Sequence, residues 1–92
     1  MKVIHAVQSD AFAGVERYVA TLAPRLARRG LTVEVIGGEP RAMRAALGSD
    51  VAFTPAATTM ATVQALRGTT ADIVHVHMTA AELAAVIARP AA

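Results

Sequence analysis

Apolar residues along this chain follow two alternating rhythms. Four short apolar runs read as strands, the first without a clean in–out alternation, as expected of a strand buried on both faces. They are Lys-Val-Ile-His-Ala-Val at Lys2–Val7, Thr-Val-Glu-Val-Ile at Thr32–Ile36, residues 51–53, and Asp-Ile-Val-His-Val-His at 72–77. Between them the apolar positions take a helical period. Val15, Tyr18, Val19, Leu22, Ala23 and Leu26 predict one inward face of a helix that starts after Gly14 and stops at Gly30. Arg25, Arg28 and Arg29 complement the negative end of its dipole, and Pro24 predicts a bend on the solvent side. Residues 40–47 predict a short helix with Pro40 in its first turn and Met43 and Leu47 inward. Thr54-Pro55 reads as N-cap and first residue of the next helix, which packs Met60, Val63 and Leu66 and ends at Gly68. After the last strand, Thr79 and Glu82 form a capping box for a helix carrying Leu83, Val86 and Ile87 and ended by Pro90.

Strand and helix therefore alternate four times with short connections. Right-handed crossovers turn that order into a Rossmann-like open parallel α/β sheet of about four βα units, with helices on both faces. The common strand order for such a sheet is 3-2-1-4, which makes the first and fourth strands neighbours at the point where ligands bind.

Composition narrows the classes. With 92 residues, the chain is expected to form one domain with a thin core. A net charge of +2, spread evenly, and 3% aromatic residues argue against nucleic acid as a partner. The absence of cysteine excludes disulfides and Cys-based zinc sites, and permits a cytoplasmic location. No apolar run approaches the length of a membrane span, and the N-terminal run is too short for a signal-peptide core.

The candidate chemistry sits where strands hand over to helices. The loop at residues 8–14 joins the first strand to a helix N-terminus, where unpaired amides and the dipole favour an anion. It is neither a dinucleotide fingerprint, since Ser9, Ala11 and Ala13 replace the glycines, nor a P-loop. Gly14 is the residue that would approach a phosphate; otherwise it serves only a tight turn. Glu16 falls in the first helical turn, where the dipole favours a carboxylate in any case. His75 and His77 share one strand face, but with Asp72 at the far end no third metal ligand is evident, and no metal is expected. His77 lies at the strand end beside the crevice, where an imidazole can bond a hydroxyl or phosphate. His5 reads as structural, and Glu39 as an acid placed for a ribose only if the glycine fingerprint were present. Arg25, Arg28 and Arg29 could touch anionic lipid, although such a cluster is more often simply a solvated helix end.

Taken in order, Met-Lys-Val-Ile-His-Ala-Val, Gly-Val-Glu-Arg-Tyr-Val, Leu-Ala-Arg-Arg-Gly, Val-Glu-Val-Ile and Asp-Ile-Val-His-Val-His resemble the N-terminal domain of GT-B glycosyltransferases of the large family four. The family loop carries two adjacent glycines and then an acid. Here the positions hold Ala13, Gly14 and Glu16. The resemblance implies a retaining, metal-independent transferase using a nucleotide-diphosphate sugar and an acceptor not identified by the sequence. It places Gly14 at the donor diphosphate, Glu16 as a weaker contact beside it, and His77 at the donor sugar as the catalytic-site residue. No cofactor is implied beyond the donor substrate. It also implies that residues 1–92 are part of an acceptor-side Rossmann-like domain whose partner, a C-terminal Rossmann-like domain, holds most of the donor. The chain alone is then expected to be inactive and prone to self-association, with the full-length protein cytoplasmic or peripheral to a membrane. Two alternatives stand beside this reading: a complete, non-catalytic, flavodoxin-like binding module, and a fragment of a GT-B nucleotide-sugar epimerase.

Overall fold

A computed structural model describes residues 1–77 and 87–88 of the chain. Its elements run β1 (Lys2–Val7), α1 (Gly14–Arg28), β2 (Thr32–Ile36), α2 (Pro40–Leu47), β3 (Ala52–Thr54), α3 (Thr59–Arg67) and β4 (Ile73–His77). The four strands pair in parallel in the order β3-β2-β1-β4, the order expected from the sequence. The capping box at Thr79 and Glu82, Leu83, Val86 and Pro90 lie outside the described residues. Ile87 and Ala88 are helical, and Ala88 packs on the sheet while Ile87 is half-exposed. No described helix is long and apolar enough to cross a membrane.

The strand order explains which face each helix covers. The chain steps outward from β1 to β2 to β3 with α1 and α2 on one face, then returns past β1 to β4 with α3 on the other. One core lies under α1 and α2 and contains Val7, Val19, Ala23, Val33, Val35, Met43 and Leu47. The second, under α3, holds Ile4, Ala6, Ile36 and Leu66. β1 is buried from both sides, which is why its sequence does not alternate. Among the described residues, β4 packs through one side: Val74 and Val76 face the second core, while Ile73 is 47% exposed and His75 is exposed on the other face.

The buried stripe of α1 is rotated from the one read off its periodicity. Val19 and Ala23 are buried and Leu26 packs on the core as expected, whereas Val15 and Tyr18 are exposed and Glu16 and Ala20 are buried in their place. The cause is at the helix start. The Glu16 carboxylate turns back to accept hydrogen bonds from the Ala13 amide at 2.7 Å and the Ser9 hydroxyl at 3.3 Å, which satisfies it in a buried position. The small side chains of Ala20 and Ala23 then let the helix sit close to the sheet, with Tyr18 at its flank. The helix continues through Pro24, which is half-buried. It ends in a Schellman arrangement: Gly30, at φ 92°, donates to Ala27 and Leu31 donates to Leu26.

The third unit also differs from the sequence reading. β3 is shifted to Ala52–Thr54, with Val51 buried beneath it. Thr54 does not cap a helix, because its carbonyl accepts from the Gly37 amide and extends the sheet. Thr58 is the N-cap of α3, its hydroxyl accepting from Ala61 at 3.1 Å. Starting four residues later leaves Met60 64% exposed and buries Thr62, whose hydroxyl bonds the Thr58 carbonyl.

Candidate functional site

At the carboxyl edge of the sheet, the β1–α1 loop is held by the two loops beside it. Ser9 donates its amide to Ala56 in the β3–α3 connection, forming an isolated antiparallel bridge. The Gly38 amide donates to the Ser9 carbonyl at 3.0 Å, and the Glu39 amide to the Ala11 carbonyl at 2.7 Å. The Gln8 side-chain amide reaches the Thr59 hydroxyl at 2.9 Å. The approach depends on Gly37, at φ 100°: a Cβ there would lie 1.5 Å from the Val7 carbonyl oxygen. Glycine is thus required where the β2–α2 turn crosses the end of β1. The loop enters α1 already fixed in place.

Gly14 is the first residue of α1, and a Cβ added to it would meet nothing within 4 Å. No tight contact demands a glycine here; what glycine provides is an open approach to the helix N-terminus. Ala13, at the N-cap, has no side-chain acceptor to offer the first-turn amides. Among the described residues the first-turn amides therefore have no side-chain acceptor, while the Glu16 carboxylate closes the Ala13 amide and sets a negative charge beside the positive end of α1. Glu16, the other loop candidate, is committed to Ala13 and Ser9 and is 3% exposed. It holds the loop rather than facing a ligand. Glu39 is likewise engaged: its carboxylate accepts from the Arg41 and Ala42 amides, capping α2. Those hydrogen bonds, Ala42 first, lower its pKa.

The largest departure from the sequence reading concerns histidine. Register pairs His5 with His75 across β1 and β4, and Val7 with His77. Paired residues and i, i+2 residues share a face, so His5, His75 and His77 meet on the side of the sheet that carries α1. Their ring centres are 5.4 Å (His5–His75), 5.6 Å (His5–His77) and 4.2 Å (His75–His77) apart. His5 Nδ1 lies 3.4 Å from His77 Nε2. Tyr18 of α1 meets the His77 ring edge-on, with centroids 6.2 Å apart. Tyr18 is four residues beyond Gly14, so α1 joins the loop to the cluster.

His5 is 1% exposed and is the third member that the sequence reading set aside as structural. The signal that locates it is the strand order, which makes β1 and β4 neighbours and aligns positions seventy residues apart. Burial, and then the charges of His77 and His75, lower its pKa from 6.5 to about 4. His77 is shifted the same way, by burial first and His75 second. Both rings are thereby biased toward the neutral form, with lone pairs available. Among the described residues, His5 Nε2 is buried with no hydrogen-bond partner, an arrangement that costs roughly 1–3 kcal/mol.

The amino edge of the sheet has a different character. An open pocket of about 310 Å³ lies there, lined by Lys2, Arg67, Gly68, Thr69 and Thr70. It is far from the carboxyl strand ends where open α/β sheets bind ligands. Its main cation is paired internally: Lys2 Nζ contacts Glu34 at 3.3 Å and the Thr69 hydroxyl at 2.6 Å.

No family model, no curated protein and no solved structure matches this chain.

Proposed function

We propose that the chain is the acceptor-side portion of a retaining glycosyltransferase that uses a nucleotide-diphosphate sugar. The observation that carries this reading is the position of His77, at the carboxyl end of β4 and edge-on to Tyr18, one helical turn from the open N-terminus of α1. In this reading the Gly14 amide and the positive end of α1 meet the donor diphosphate, so that charge is balanced by backbone rather than by a metal. His77, neutral near pH 7, bonds a hydroxyl of the donor sugar. Glu16 contributes by fixing the loop. Transfer then depends on holding donor and acceptor in line and on stabilising the departing diphosphate. A second Rossmann-like domain carries the rest of the donor site.

The test is sugar transfer from a nucleotide donor, measured with this chain alone and with a protein joining it to such a second domain. The chain alone is expected to be inactive; transfer by it would overturn the two-domain reading. In the joined protein, His77→Ala is expected to lower kcat by about 100-fold. Wild-type kinetics in that variant would remove His77 from the site.

A further inference from the structure

We propose that His5, His75 and His77 bind one divalent transition-metal ion of the zinc class. Each ring offers one nitrogen, and the three nitrogens lie within 4.8 Å of one another. Imidazole nitrogens sit 2.0–2.1 Å from zinc, so two of them in a tetrahedral site are separated by about 3.3 Å. His5 Nδ1 and His77 Nε2 already stand at 3.4 Å. His75 is exposed on β4, and rotation of its side chain closes the remaining gap. The scaffold is rigid, because His5 and His75 are register partners and His77 is two residues along the same strand. Rigid strands are suited to holding a ligand set in geometry.

The donor set identifies the metal class. Three imidazoles with no carboxylate in the group suit zinc, cobalt, nickel or copper, and do not suit magnesium or calcium, which require oxygen ligands. Three protein ligands leave a fourth tetrahedral position for water or an added ligand. Among the described residues, the rings' recorded hydrogen bond is to each other, so they lack the outer-shell acceptors that tighten zinc sites. The expected affinity is therefore micromolar. The inference does not rest on the donor-sugar reading; an ion and a sugar hydroxyl would compete for the His77 lone pair.

The experiment is calorimetric titration of the untagged, chelator-stripped chain with zinc chloride, together with cobalt absorption spectroscopy. The expected result is one zinc per chain and intense visible bands of tetrahedral cobalt that zinc displaces, with no binding of magnesium. His75→Ala alters an exposed position, and His77→Gln keeps a polar side chain. Each is expected to weaken zinc binding by more than about tenfold while leaving the circular dichroism spectrum unchanged. Failure of wild-type protein to bind zinc at one per chain overturns the site, as does His75→Ala binding zinc as tightly as wild type.

Discussion

The two edges of the sheet use their polar residues in opposite ways. At the amino edge, Lys2 Nζ is shared between Glu34 and Thr69, and the Thr69 hydroxyl also reaches Glu34 at 3.2 Å. The Asp72 carboxylate accepts from the Lys2 amide at 2.7 Å, while the Asp72 amide returns a bond to the Lys2 carbonyl. That network is closed within the chain. At the carboxyl edge, backbone bonds and the Glu16 carboxylate fix the loop, but among the described residues the N-cap Ala13 offers no side-chain acceptor, His5 Nε2 has no partner, and three imidazoles face one another. Polar groups that are closed off serve stability. Groups positioned by a rigid frame and left without internal partners mark where a ligand would be expected.

The largest effect that would break this contrast is at Gly37. Because its Cβ would collide with the Val7 carbonyl at a left-handed φ, Gly37→Ala is expected to destabilise the fold by about 4 kcal/mol or more. Urea unfolding followed by circular dichroism reads this, and a loss under 1 kcal/mol would show that the loop frame is not rigid.

Next in size is the pH response of the histidine cluster, measured with chelator present. The folded pKa of His5 lies below its unfolded value, so the unfolded chain binds the extra proton. Stability should be fully present above pH 6.5 and fall as the pH drops from 6.5 toward 4. The expected loss is on the order of 2–3 kcal/mol from His5, with a further contribution of the same sign from His77. Stability that stays flat across that window would contradict the assignment of a buried neutral imidazole.

Smaller again is the loop clamp. Glu16→Ala removes the bonds to the Ala13 amide and the Ser9 hydroxyl and is expected to cost about 1–2 kcal/mol. Faster hydrogen exchange at Ala13 should accompany it, and unchanged exchange would count against the clamp. The smallest effect belongs to the closed edge. Lys2→Met breaks a partly exposed ion pair and should change stability by less than about 1 kcal/mol. A larger loss would make the amino edge a more important stabilising element than its exposure suggests.

Strand positions and topology were legible because they follow from local pattern and chain-level rules. β1, β2 and α2 have the boundaries their residues predict, and the order 3-2-1-4 follows from the crossover rules. Two local readings were overridden by contacts between distant residues. Thr54-Pro55 has good helix-start chemistry, but Thr54 is held in the sheet by Gly37, so Thr58 caps the helix. The periodicity of α1 favoured Val15 and Tyr18, but the hydrogen bonds of Glu16 pulled that residue inward. In the site, Gly14 and His77 could be singled out because both end a strand–loop unit. His5 could not, since inside an apolar strand it looks like any packed residue. Its meaning appears only when register sets it opposite His75.

If the carboxyl edge, and not the pocketed amino edge, binds ligand, amide chemical shifts will report it when a nucleoside-diphosphate sugar is titrated into the nitrogen-15-labelled chain at millimolar concentrations. Shifts are expected to concentrate at Gly14, Val15 and His77 while Lys2, Arg67 and Thr69 stay unperturbed. Shifts centred on Lys2, Arg67 and Thr69, or no shifts at either edge, would contradict it.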